Sequence, residues 1–185
     1  MGAPKALLPA PDGRPFVARI VRTLLAAGLD DIAVVTGKDH DGIVRAVEAD
    51  RPRVRPLFVR NSDPERGQLS SLWAGMDAVV EPRSEGLLVT LVDVPMVASA
   101  TIVRVIDAWR RTRAPIVRPA IGDRHGHPVI FDRAVFRELR DAPMEEGAKT
   151  VVRAHGPDLV NVPVADEGCL VDVDTPTDYD ALGSR

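Results

Sequence analysis

The chain has 185 residues, 45% of them hydrophobic, which is enough for one sizeable core, and a single domain over residues 1–185 is expected. Its 24 Lys and Arg against 27 Asp and Glu leave a net charge of −3, which argues against a dedicated nucleic-acid binder. The single cysteine, Cys169, excludes an internal disulfide framework and a cysteine-rich zinc site. The lone cysteine suits a reducing cytoplasm, the expected location, and no run approaches the ~18 apolar residues of a membrane span, so no membrane partner is expected.

In chain order, Phe16, Val17, Ile20, Val21, Leu24 and Leu25 recur at three-to-four-residue spacing and predict a helix closed by Gly28. Ile32 to Thr36 is a short apolar run that predicts a strand buried on both faces. A helix around Ile43 to Val47, a strand at Leu57 to Arg60 and a long helix from Gln68 to Val80 follow, the last with Leu69, Leu72, Trp73 and Met76 on its stripe. Leu87 to Asp93 predicts a buried strand that stops at a carboxylate ahead of Val94-Pro95. After a helix from Ala100 to Arg111, Pro115 to Pro119 and His127 to Phe131 predict a hairpin turning at Gly122 and Asp123, with Arg124 and His125 in its loop. Helices near Ala134 to Leu139 and Ala148 to His155, a strand at Leu159 to Val164 and a helix start at Thr175-Pro176-Thr177-Asp178 complete the chain. Alternating strands and helices predict an α/β layer architecture.

Open parallel sheets bind ligands at the carboxyl ends of their strands, so polar groups that end apolar runs carry most weight. Asp93 is one. Asp172 and Asp174 are a second such group, projected to one face by the period of two. Together they could hold Mg²⁺, which takes one or two carboxylates and completes its shell with water and phosphate oxygens. The alternative is that Asp172 and Asp174 only shape a turn and cap a helix. Lys5 is a candidate phosphate neutraliser or simply an exposed lysine. Gly67-Gln68-Leu69-Ser70-Ser71 opens a helix and is either an anion or base site or ordinary serine capping. His125 and His127 lack the further ligands of a transition-metal site, and Cys169 reads as a structural thiol.

Met1-Gly-Ala-Pro-Lys-Ala-Leu-Leu-Pro9, Gly67-Gln-Leu-Ser-Ser71, Val92-Asp-Val-Pro95, Gly126-His-Pro-Val-Ile-Phe131 and Asp172-Val-Asp-Thr-Pro176 resemble, in order, the motifs of the MobA/MocA-like NTP transferases. Gly147-Ala-Lys149 matches a further short segment. The combination of Pro4-Lys5, Gly67-Gln68-x-Ser70-Ser71 and Gly126-His127-Pro128 looks more like the molybdenum cofactor cytidylyltransferase branch than the guanylyltransferase branch. The resemblance implies a Rossmann-like three-layer nucleotide-diphospho-sugar transferase fold with a mostly parallel central sheet. It implies transfer of CMP from CTP to molybdopterin with Mg²⁺, the runners-up being a guanylyltransferase using GTP, another transferase of this fold, or a catalytically silent nucleotide- or partner-binding protein.

On that resemblance Lys5, Asp93 and Asp174 are catalytic, and Asp93 and Asp174, with Asp172 accessory, hold the metal. Gly2, Lys5, Gly67, Gln68, Ser70 and Ser71 bind the nucleotide, while Arg124, His125 and His127 face the acceptor. A molybdoenzyme or a chaperone is a possible protein partner. The family has glycine where this chain has Val92. It also places a buried strand and a Gly-rich loop with an arginine before Met1-Gly2, so the fold is expected to lack its first strand. The functional protein is then expected to start some ~10–20 residues upstream.

Overall fold

A computed structural model describes residues 4–183. Its helices are α1 (Phe16–Ala26), α2 (His40–Ala49), α3 (Gln68–Val79), α4 (Ser99–Thr112), α5 (Phe136–Asp141), α6 (Lys149–Ala154) and α7 (Pro176–Leu182). The stripe of α1 is buried as its spacing predicts, and Gly28 closes that helix with φ +85°, a value that strains any residue carrying a Cβ. The strands are β1 (Ala33–Thr36), β2 (Leu57–Arg60), β3 (Gly86–Val89), β4 (Ile116–Ile121), β5 (Arg124–His125), β6 (Val129–Asp132) and β7 (Val160–Pro163).

β1 and β2 form a parallel pair. The other five strands share a sheet in the order β3-β6-β4-β5, with β7 joined in parallel to β4. β6 runs antiparallel to both β3 and β4, so β3, β4 and β7 point the same way. Among the described residues β1 and β3 are each paired along one edge only.

Alternation along the strands sends side chains into two separate cores. Val117, Ile130 and Val162 join the cluster built from the stripes of α1, α2 and α4, and Leu88 packs against it. Ile116, Val129 and Phe131 point the other way, into a cluster with Leu69 and Met76 of α3, Phe136 and Leu139 of α5 and Val151 of α6. Helices therefore cover both faces of the sheet, which makes the α/β three-layer architecture.

Three expectations are corrected. The strand expected over Leu87 to Asp93 ends at Val89, because the residue that would face Thr90 on β6 is Pro128, which has no N–H to donate. The hairpin's returning strand is broken in two. Three steps along β4, from Val117 to Ala120, face five steps on the return, from His125 to Ile130, so Gly126-His127-Pro128 bulges out of the ladder. The run Ile32 to Thr36 is fully buried only at its ends, since β1 lacks a partner along one edge and Ala33 to Val35 stay half-exposed.

At the other end of the chain, Thr175 and Asp178 form a reciprocal capping box with Pro176 in the first turn of α7. Thr175→Ala should remove about 1 kcal/mol of stability, a fall of roughly 2–4 °C in Tm by calorimetry.

Candidate active site

Past Val89 the chain leaves the sheet, and four hydrogen bonds fix its course. The Asp93 carbonyl accepts the Val173 N–H at 2.8 Å, and the Pro95 carbonyl accepts Arg19 Nε at 2.9 Å. Asp166 takes the Ala98 N–H at 2.8 Å and the Thr101 hydroxyl at 2.7 Å, capping α4 from a distance. Val173 is fully buried in a small cluster with Ala10, Phe16 and Leu182. Since Val173 points in, Asp172 and Asp174 on either side of it point out and are exposed.

The same cluster positions the N-terminal segment. Lys5 heads a single 3-10 turn closed by the Leu7 N–H on the Pro4 carbonyl, Leu8 packs on the cluster, and the Tyr179 hydroxyl donates to the Pro9 carbonyl. Lys5 Nζ thereby reaches Asp174 Oδ1 at 2.5 Å across 169 positions of sequence.

Oδ1 of Asp93 is buried and has no hydrogen-bond partner. Burial, and then the negative charges of Asp172 and Asp174, push the Asp93 carboxyl above the ordinary range, with Lys5 opposing them. An ionised oxygen left unpaired away from water is unfavourable unless a proton or a cation meets it. Among the described residues no group of three or more His, Cys, Asp and Glu side chains is arranged to enclose a metal. The donor set instead fits a cation that takes one or two carboxylates and fills its shell from water and phosphate, as Mg²⁺ does. His127, on the bulge, is half-buried with Nδ1 3.5 Å from the Val89 carbonyl. Burial holds its pKa below the ordinary value against the pull of that carbonyl and of Asp172 and Asp93.

A second polar group lies where β2 ends and α3 begins. Gly67, at φ +90°, precedes the first turn of α3, and no side chain caps the helix; the Ser70 N–H turns back on the Gly67 carbonyl at 3.2 Å, which leaves the Gln68 and Leu69 amides open. Ser70 is buried, and its hydroxyl lies 2.7 Å from the Gly67 carbonyl and 3.1 Å from that of Asp63. Ser71 is half-exposed and Gln68 exposed. Sequence reasoning missed Asn61, buried at the end of β2 and bonded to both serines, although the rule that singled out Asp93, a polar group ending an apolar run, applies to it equally.

The structure thus gathers Lys5, Asp93, His127, Asp172 and Asp174, and separately Gly67 to Ser71. No hydrogen bond or ion pair joins the two groups among the described residues. Arg124 is exposed and held by both carboxylate oxygens of Glu167, at 3.1 and 3.2 Å, beside a shallow cavity of about 200 Å³ that Asp172 also lines. His125 is exposed on β5. Gly2 lies outside the described residues. Burial pushes the Cys169 thiol up to about 11, in keeping with an unreactive packing role.

Residues 1–159 match the model of the MobA-like NTP transferase domain. A Bifunctional protein GlmU of Rhodopseudomonas palustris (strain BisB5) is 29% identical over 160 residues, covering 82% of this chain and 33% of that protein. The chain spans a third or less of the length of the curated relatives it matches. Among solved structures, Rv0371c from Mycobacterium tuberculosis H37Rv is 30% identical, with TM-score 0.77 over 100% of this chain and 91% of that one. Its complex with manganese aligns with TM-score 0.74 at 30% identity, over 100% and 94% of the two chains. A nucleotidyl transferase from Methanothermobacter thermautotroptrophicus, at 21% identity and TM-score 0.79 over 97% and 83% of the two chains, shares the fold.

Proposed function

This chain belongs to the MobA-like NTP transferase domain family, and from that premise we propose that it is a nucleotidyltransferase that moves CMP from CTP to molybdopterin, releasing pyrophosphate. The observation that carries the transfer reading is the unpartnered buried oxygen of Asp93 beside Asp172, Asp174 and Lys5. Asp93 and Asp174 would hold a divalent cation, with Asp172 accessory. The manganese complex of Rv0371c supports that part of the reading. Such a cation, when bound, neutralises phosphate oxygens and favours in-line displacement.

The chain's own residues do the rest by position and charge. Lys5, now paired with Asp174, exchanges that carboxylate for a phosphate oxygen of the nucleotide, as a flexible point charge is able to do. Gly67, Gln68 and Ser71 present the open start of α3 to the nucleotide, with Ser70 shaping the turn beneath them. His127, Arg124 and His125 face the acceptor, His127 as a neutral ring. No covalent intermediate is needed, because the terminal phosphate of molybdopterin attacks the α-phosphorus and pyrophosphate leaves with the electron pair of the broken bond. The choice of CTP rests on Pro4-Lys5, Gly67-Gln68-x-Ser70-Ser71 and Gly126-His127-Pro128. A molybdoenzyme or its chaperone is the proposed recipient of the product.

The test is pyrophosphate release by the purified chain with molybdopterin, Mg²⁺ or Mn²⁺, and either CTP or GTP. Cation-dependent release with CTP is expected. A preference for GTP would move the chain to the guanylyltransferase reading, and cation-dependent nucleotide binding without release would make it a silent binder.

A further inference from the structure

We infer that Asn61 is a positioning residue of the nucleotide site, one that aims the hydroxyl proton of Ser71 outward from the start of α3 toward an acceptor oxygen of the nucleotide. The inference rests on the reading that Gly67 to Ser71 face the nucleotide. Asn61 is 8% exposed, and its backbone N–H donates to the Thr36 carbonyl at 2.8 Å, locking the end of β2 to the end of β1. Its side-chain orientation is fixed by chemistry. The Asp63 N–H lies 2.9 Å from one terminal atom, and because an N–H only donates, that atom is the amide oxygen.

The other terminal atom is therefore Nδ2, 2.8 Å from Ser70 Oγ and 3.0 Å from Ser71 Oγ. An amide nitrogen carries two protons and accepts nothing, so both serines accept from it and must send their own protons elsewhere. Ser70 sends its proton back to the carbonyl of Gly67 or Asp63. Ser71 has no acceptor among the described residues, is half-exposed and stands in the same first turn as the open Gln68 and Leu69 amides. Asn61 thus converts a hydroxyl that could donate or accept into an outward donor, the polarity that suits an anionic or carbonyl oxygen.

The test is a double-mutant cycle on the full chain, by calorimetric titration with CTP and with GTP in Mg²⁺. Ser71→Ala should weaken the preferred nucleotide by roughly three- to tenfold. Asn61→Asp puts an acceptor where the donor was and turns the Ser71 proton inward, so it should weaken binding at least as much. In the Ser71→Ala background it should add no more than about twofold. Asn61→Ala, which adds no charge, should show the same non-additivity. Equal losses in both backgrounds would mean that Asn61 acts through charge or packing, and undiminished binding by Ser71→Ala would mean that Ser71 donates to nothing. Either result overturns the inference and leaves the nucleotide reading standing. A wild-type chain that binds neither nucleotide overturns the nucleotide reading and the inference with it.

Discussion

Asp93→Asn is expected to abolish nucleotidyl transfer, by about a thousandfold or more, while making the metal-free protein more stable at neutral pH. The activity loss follows from removing the buried charge that a cation would meet. The stability gain follows from the same charge, because the Asp93 carboxyl is held above its ordinary range by burial and by Asp172. A carboxyl whose pKa is raised on folding destabilises the fold only where it is ionised. At a pH near 3 it is neutral in both states and contributes nothing; as the pH rises, the unfolded chain ionises first, and stability is lost until the folded pKa has been passed.

The variant should therefore melt higher than the wild type at pH 7 in the presence of a chelator, and equal to it near pH 3, by calorimetry. Mg²⁺ should raise the wild-type Tm and leave the variant unmoved. A variant that melts well below the wild type at pH 7 would make Asp93 a structural residue and remove the catalytic assignment. Such a conflict between site and stability is what a carboxylate built for a ligand produces.

Gly126→Ala is expected to cost about 3 kcal/mol or more, a fall of roughly 6–12 °C in Tm. A Cβ on Gly126 would lie 1.8 Å from the carbonyl oxygen and 2.8 Å from the carbonyl carbon of Cys169. The added methyl meets backbone there, and neither side has a rotamer to escape into. The same Cys169 carbonyl accepts the His127 N–H at 3.0 Å, so relief of the clash would carry the bulge, and His127 with it, away from Asp93 and Asp172. Gly156→Ala, with nothing within 4 Å of the added carbon and no left-handed φ, is the control and should be close to neutral. If both variants melt like the wild type, the packing of the bulge on Cys169 is looser than described, and it does not hold His127 in place.

Much of this molecule is written in neighbouring residues, and that part is readable. The stripe of α1, the closing Gly28 and the capping box at Thr175 and Asp178 each depend on contacts within a few positions, so periodicity and residue type determine them. Asp93 was legible as a candidate for the same reason, as a charge ending an apolar run, and the exposure of Asp172 and Asp174 follows from a period of two. What the tertiary structure alone decided is who faces whom. β3 ends at Val89 because the residue brought opposite its next position is a proline from a hairpin some 40 positions later, a fact absent from the run Leu87 to Asp93 itself. Oδ1 of Asp93 was left without a partner, Lys5 met Asp174 and Asn61 met two serines only once strands and helices had been packed into layers. Local spacing sets which way a side chain leaves its own element; the charge, donor or void it then meets comes from remote chain, and that meeting settles its protonation and the direction of its hydrogen bonds.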